Sequence, residues 1–467
     1  MPETDSEYQY PLVSLFTGAG GLDIGLEKAG FNTVFANDNK DWACETIKRN
    51  RRLSGLTKQE FGNWFNKQIQ QRCHKYASDE EIENLRRRVE PSRKNKSFLN
   101  DANVVQGDIS DISSQQIMDA AGIEVGEASV VAGGPPCQSF SRSGDRESVE
   151  VDKGQLFVEF VRVVDDLEPS WFIFENVKGL ETAKTDVLYE VCLNCGNQEI
   201  PLFAKRQEWT PEASPPSSTC STCGSNKLEW ELEEEKGGSL KIIINEFEKR
   251  AGYDCQYKVL NAANFGAPQK RKRLFIVGSE DGSDFSWPSP THMDPNKNGF
   301  QVDAFASSNG ARRPWVTMWD AIWKDGHFKY GELDPDVARL WVRNVVRPKD
   351  EPVTWRLDKR PSPTVGAHQA AKLSIAPNGV PEKQIERQQW HTKGNRQGDT
   401  PPVEVEYEFL SDGELLMLQT FSQNRYLYGT RMQRAKQIGN AVPPLLGEVV
   451  GEAVAEAMET RKASSYC

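Results

Sequence analysis

Leu12-Val13-Ser14-Leu15-Phe16-Thr17-Gly18-Ala19-Gly20-Gly21 is the stretch that decides the fold. Four of its first five residues are apolar and they do not alternate with polar ones, as in a parallel strand covered on both faces. Three glycines then turn the chain. Leu22 to Ala29 follows with helical spacing of apolar residues and stops at Gly30. A strand, a glycine turn and a helix make a nucleotide-like cradle, because glycine lets the backbone approach a ligand closely. The turn lacks the Lys-Ser/Thr of a P-loop, and its spacing is not the dinucleotide fingerprint.

Outward from this unit the same rhythm repeats. Thr33 to Ala36 reads as a strand ending at Asn37-Asp38, and Trp42 to Asn50 as a helix. Asn103 to Gln106 is a third strand ending at Gly107-Asp108, and Ser129 to Ala132 a fourth. Trp171 to Phe174 is a fifth ending at Glu175-Asn176, and Leu274 to Val277 a later one stopped by Gly278. Strands alternating with helices predict an α/β protein with a doubly wound parallel sheet and function at the strand carboxyl ends. Asp38 is placed to accept hydrogen bonds from ribose hydroxyls, and Asp108 one from an adenine amino group; the plain alternative for each is an N-cap or turn residue. With the glycine turn, they suit an adenosine ligand lying across the strand ends.

Pro135-Pro136-Cys137-Gln138 follows the fourth strand and a Gly133-Gly134 pair. A thiol on a rigid prolyl turn at a strand end is placed to be a nucleophile. A small buried hydrophobe is the usual role of a free cysteine, so the other motifs must decide.

At 467 residues the chain exceeds one ordinary core and predicts two or three domains. It has 37% hydrophobic and 27% charged residues, no apolar run of membrane-spanning length and no signal-peptide pattern. Nine cysteines in such a chain point to thiols or metal ligands rather than disulfides. The net charge of −11 opposes a polyanion partner, but the distribution does not. Lys48 to Lys96 carries 14 Lys/Arg against 6 Asp/Glu, and Asn309 to Thr400 carries 16 against 11. Two basic regions on an acidic body can form a polyanion-binding face, and the segment from Lys48 to Lys96, including Arg86, Arg87 and Arg88, is expected on a cleft rim.

Together the motifs resemble the DNA (cytosine-5)-methyltransferase family. Phe16 to Gly21 is similar to its S-adenosylmethionine loop, Gly133 to Gln138 to its catalytic loop and Glu175-Asn176-Val177 to its catalytic glutamate motif. Gln269-Lys270-Arg271-Lys272-Arg273 resembles its Gln-x-Arg-x-Arg motif, Glu414 to Phe421 a late structural helix, and Gly439 to Pro444 its closing motif. The six occur in the family's order. Three features depart from the pattern: Lys40 stands where a second acid is usual, the late helix lacks the usual arginine near its start, and Ser422 stands where a proline often follows the phenylalanine.

The resemblance implies S-adenosylmethionine held by Phe16, Gly18, Ala19, Gly20, Gly21, Leu22, Asp38, Asp108, Ile109, Pro135, Leu156, Asn440, Ala441 and Val442. It implies catalysis by Cys137, Glu175, Arg271 and Arg273. Carbon 5 of cytosine is a poor nucleophile until a thiolate adds to carbon 6. Cys137 would add, Glu175 would supply a proton to nitrogen 3, and Arg273 with Arg271 would hold the base carbonyl. The base must be flipped out of the duplex to be reached. The implied partners are duplex DNA and, as a candidate, a cognate restriction endonuclease; the chain is expected to be monomeric, off the membrane, and cytoplasmic at the nucleoid of a prokaryote. A tRNA-directed relative is the first alternative, disfavoured because no cysteine lies between Cys255 and Cys467 to supply that branch's Cys-Phe-Thr motif. A catalytically inactive DNA-binding paralogue is the second.

Cys192-x-x-Cys195-Gly196 and Cys220-x-x-Cys223-Gly224 form two matched knuckles with 24 residues between them. Four thiolates so spaced suit a structural tetrahedral Zn²⁺ with no open position. The organisation expected is a methyltransferase domain over residues 8–181 with a charged insertion at about 51–100, a zinc-ribbon insertion at 182–237 with a hypothetical role in gripping DNA, and the methyltransferase domain again at 238–284. A smaller, irregular target-recognition domain would span 285–408, and the closing part of the methyltransferase domain 409–461.

Overall fold

In the computed structural model, which describes residues 10–70, 78–136, 156–202, 204, 219–283, 285–296, 312–324, 333–342, 354–367, 370, 373–380 and 407–465, the decisive strand is β1 (Tyr10–Leu15). It pairs in parallel with β2 (Phe31–Asp38) on one side and β4 (Val130–Gly133) on the other. β3 (Asn103–Gln106) extends the sheet beyond β2, and β5 (Trp171–Val177) beyond β4. The order 3-2-1-4-5 reverses between β1 and β4, which is where a doubly wound sheet opens its ligand crevice.

The sheet is not parallel throughout. β9 (Asp254–Asn261) and β10 (Lys272–Ser279) form an antiparallel pair, and β10 lies antiparallel against β5. Sequence reading finds β10 from its apolar run but misses β9, a polar edge strand that is mostly exposed.

Both faces are covered. Leu12 points into a core with Leu26, Leu446 and Val450, and neighbouring Val13 points into the opposite one with Phe160, Val164 and Phe247. The first face is built by α1 (Gly21–Lys28), α2 (Asp41–Leu53) and the last helix; the second by α5 (Ser114–Ala121), α6 (Leu156–Leu167) and α7 (Gly238–Lys249).

The charged insertion folds into α3 (Lys58–Ile69) and α4 (Asp79–Val89), each opened by a reciprocal capping box, Thr57 with Glu60 and Ser78 with Glu81. Phe61 and Phe65, with Leu53 and Val89, form a small core around Tyr426, and Trp64 packs edge-on to Tyr426 at 5.3 Å. The cysteine-bearing insertion is a three-stranded sheet: β6 (Lys184–Cys192) between β7 (Gln198–Glu199) and β8 (Leu228–Lys236). Val187 and Tyr189 root its base in the core beneath α7.

In the target region, a four-stranded antiparallel sheet of Arg339–Val342, Thr354–Arg356, Leu373–Ala376 and Glu408–Phe409 and the short α8 (Met318–Ile322) share one core with α9 (Asp412–Leu418) and α10 (Arg431–Asn440). α11 (Pro444–Ser465) returns along α1.

Candidate active site

The cofactor turn is built as its glycines require. Gly18 and Gly20 take left-handed φ values of 57° and 77°, and Phe16 is forced to +55° between strand and turn. Gly18 donates its N–H to Asp38 Oδ2 at 2.9 Å, and Lys40 donates its own to Oδ1 at 2.8 Å. Burial nevertheless raises the Asp38 pKa. Gly107 N–H donates to Asp38 O, bringing Asp108 beside it. Asp108 Oδ1 accepts from Ser110 N–H and Oγ–H, the turn-capping role that competed with adenine binding. Ile109 is buried behind it, and Leu156 is half-buried at the start of α6. The closing motif reaches the turn directly: a side chain at Gly21 would stand 2.1 Å from Val442 O and 3.2 Å from Ala441 Cβ. Asn440 is exposed at the end of α10. Thus Phe16 to Leu22, Asp38, Asp108, Pro135 and Asn440 to Val442 converge on the carboxyl ends of β1 to β4.

Across the crevice, Arg273 Nε lies 2.7 Å from Glu175 Oε1, with side-chain exposures of 11% and 10%. The register explains the pair. Phe275 lies opposite Glu175 on the antiparallel β5–β10 ladder, so Arg273, two residues away, reaches it diagonally on the same face. Burial raises the Glu175 pKa, and Arg273, then Arg271, pull it back. Gly134 lies directly over the carboxylate: a Cβ there would stand 2.5 Å from Glu175 Oε2. Asn176 Nδ2 donates to Pro135 O at 3.1 Å, so Glu-Asn holds the prolyl loop with one residue and faces it with the other. Cys137 lies outside the described residues.

Two expectations need correction. Arg271 is fully buried and spends both terminal nitrogens on main-chain carbonyls, Val365 O at 3.0 Å and Gly439 O at 2.9 Å. Both terminal nitrogens are thus engaged by the main chain rather than turned toward the crevice. Gln269 works beside it, donating to Leu418 O and accepting from Val365 N–H, so the segment before β10 pins residues 360–365 to the sheet. The basic segment is not one rim either. Lys48, Arg51, Arg52 and Asn100 line a cavity of about 420 Å³. Arg51 donates to Ala102 O, which places this cavity at the amino end of β3, behind the strand carboxyl ends. Arg86 and Arg87 are exposed, but Arg88 donates to Gln423 O and Arg425 O from a half-buried position.

Four thiols meet at the tip of the inserted sheet. The Sγ atoms of Cys192, Cys195, Cys220 and Cys223 all lie within 4.8 Å of one another, and Cys192–Cys223 and Cys195–Cys220 are each 3.6 Å apart. Sulfur atoms about 2.3 Å from a tetrahedral centre would be separated by about 3.8 Å, so the cluster fits the ion in size. Gly196 and Gly224 turn back to donate to Cys192 O and Cys220 O. The surroundings do not suit a DNA grip: β8 exposes Glu229, Glu231 and Glu234.

The comparisons with known proteins agree with this geometry. The family described as C-5 cytosine-specific DNA methylase matches residues 10–79, 88–197 and 232–456. The chain belongs to that family. It is a DNA cytosine methyltransferase whose cofactor, as throughout the family, is S-adenosylmethionine. The Picosynechococcus Type II methyltransferase M.AquIA is 30% identical over 67% of this chain and 87% of its own length. M.FnuDI of Fusobacterium nucleatum is 24% identical over 97% and 96%. Among solved structures, Spodoptera frugiperda DNMT2 aligns over 96% of the chain at 13% identity with a TM-score of 0.48. Residues 198–231, which include Cys220 and Cys223, fall outside the family match. No helix among the described residues is long and apolar enough to cross a membrane.

Sequence reading missed Asn176, Gln269 and Arg425 as parts of the site's frame. A signal existed for two more residues, Asp23 and Glu27: two acids one turn apart between Leu22 and Leu26, on a helix with a buried face.

Proposed function

We propose that this methyltransferase modifies carbon 5 of cytosine within one short duplex DNA sequence, through a covalent Cys137 adduct on a flipped base. The observation that carries this reading is the buried Glu175–Arg273 pair beneath Gly134, with Asn176 holding Pro135 of the loop that leads to Cys137. The Cys137 thiolate adds to carbon 6, opening the 5,6 double bond. Glu175, whose pKa burial raises, gives its proton to nitrogen 3, which leaves an enamine between carbons 4 and 5 that is nucleophilic at carbon 5. Arg273, already desolvated, holds the base carbonyl and balances the charge that develops. S-adenosylmethionine supplies the electrophilic methyl group. Loss of the carbon 5 proton to solvent then expels Cys137 as the thiolate, and return of the nitrogen 3 proton to Glu175 restores the aromatic ring and the acid. Gly18 to Leu22, Asp38 and Asp108 hold and orient the cofactor, and Arg271 keeps the target region seated on the sheet.

The four cysteines hold one structural Zn²⁺. The chain acts as a monomer in the cytoplasm of its host, with a cognate restriction endonuclease as its counterpart. The deciding experiment is base-resolution methylation sequencing of DNA from a methylation-deficient bacterium expressing this chain, with Cys137→Ser as control. Methylcytosine at one short sequence, absent in the mutant, is the expected result. An unmodified genome with soluble protein present would overturn the reading.

A further inference from the structure

We infer that Arg425 is a positioning residue for the cofactor turn, and that the helical insertion α3–α4 is the buttress that keeps it there. The inference rests on the reading that the glycine turn holds S-adenosylmethionine.

Arg425 lies far along the chain from the turn, yet it reaches beneath it. One terminal nitrogen donates to Ala19 O at 2.8 Å, and that same nitrogen would stand 3.4 Å from a Cβ at Gly20. Its guanidinium is buried between the charges of Asp23 and Glu27, both on the covered face of α1. Asp23 Oδ2 and Arg425 Nε are each buried without a hydrogen-bond partner among the described residues. An arginine kept at such desolvation cost, directly under a ligand turn, holds that turn's shape.

The insertion supplies two further supports. Leu99, in the left-handed region at φ 56°, donates its N–H to both oxygens of Glu27 at 3.1 and 2.8 Å. Its Cδ1 would stand 3.3 Å from a Cβ at Gly20. Arg88, on α4, holds Gln423 O and Arg425 O, and Ser92 donates to Asn424 O. Asn50 closes the clamp by exchanging hydrogen bonds with the backbone of Tyr426. A continuous chain of hydrogen bonds therefore runs from the insertion through residues 423–426 to Ala19.

The test uses the full chain with Arg425→Met, Arg425→Lys and Arg88→Met, each checked for an intact fold by circular dichroism. Calorimetry measures S-adenosylmethionine affinity, and steady-state assays measure KM for the cofactor and for DNA separately. Arg425→Met is expected to raise the cofactor KM about tenfold or more while KM for DNA stays within about twofold, the pattern of lost binding at one site. Arg425→Lys, which can still donate to Ala19 O, is expected to recover most of the affinity. Arg88→Met, which touches no part of the turn, is expected to weaken cofactor binding about threefold. Wild-type cofactor affinity in folded Arg425→Met or Arg88→Met would overturn the inference, as would equal losses for cofactor and DNA. If Arg425→Met fails to fold, Arg425→Lys and Arg88→Met decide by the same criteria. Failure of the wild-type chain to bind S-adenosylmethionine would instead remove the reading of the turn on which the inference rests.

Discussion

Arg273 and Glu175 meet at 2.7 Å across the β5–β10 ladder, where burial and the guanidinium pull the carboxyl pKa in opposite senses. Burial raises the Glu175 pKa and the guanidinium lowers it. If the protonated form serves as the acid, as proposed, activity should fall as pH rises through the folded value. Removing the positive charge removes the lowering influence, so the value moves further up. Arg273→Gln should therefore lower kcat and also shift the alkaline limb of the kcat/KM profile to higher pH. Glu175→Gln should lose roughly 10²- to 10⁴-fold in kcat while still binding DNA. A pH–rate series on the two variants checks both; an alkaline limb unmoved by Arg273→Gln would mean another group supplies the proton.

The neighbouring arginine of the same motif should behave differently. Arg271 donates to Val365 O and Gly439 O from a fully buried position. Arg271→Met strands both carbonyls, at about 1–3 kcal/mol each. The expected result is a loss of roughly 2–5 kcal/mol in denaturant unfolding. Activity per folded molecule at low temperature should fall less than for Arg273→Gln. Equal stability with abolished activity would return Arg271 to the chemistry.

The contrast shows what the sequence could say. Local signals survive: the apolar runs of β1 to β5, the glycine turn and the cysteine knuckles each lie within a few residues and appear where their patterns put them. Gln-x-Arg-x-Arg names two arginines of one type at one spacing, but strand alternation does not assign them their jobs. That depends on Val365 and Gly439, which come from about a hundred residues or more away. The basic run failed for the same reason. Arg86, Arg87 and Arg88 look alike in sequence, and the fold of residues 423–425 makes the last a half-buried donor to main-chain carbonyls. β9 escaped because an exposed edge strand carries no apolar pattern.

The cysteine cluster makes a prediction separable from catalysis. Purified chain should carry one zinc, measured by elemental analysis, and Cys192→Ser with Cys195→Ser should carry none. Without the ion, the tip should become the first site of limited proteolysis. The base of the sheet should persist, because Val187 and Tyr189 belong to the main core. DNA affinity should change less than about twofold, since the exposed charges of β8 are three glutamates, Glu229, Glu231 and Glu234, against one lysine, Lys236. A large loss of DNA affinity in the double mutant would revive the gripping role that the charge pattern argues against.

The acids beneath the cofactor turn give the fold itself a pH dependence. Glu27 is raised from 4.5 to about 7, by burial first, against the hydrogen bond from Leu99 N–H. Asp23 rises to about 6 for the same leading reason. A carboxyl whose folded value exceeds its unfolded one favours the fold when protonated. Its contribution is fully present below about pH 4.5 and is lost as pH climbs through 7. Glu27→Gln keeps an acceptor for Leu99 N–H but cannot ionise. The variant should match wild type near pH 5 and exceed it increasingly toward pH 8, approaching about 3 kcal/mol at full ionisation. Chemical denaturation of both proteins at pH 5, 6.5 and 8 measures the difference directly. A gap that stayed constant with pH would mean that Glu27 is already charged in the folded protein across this range, with Arg425 its permanent counter-ion. A gap that opens would mean that the turn rests on a neutral acid, which yields as the solution becomes alkaline.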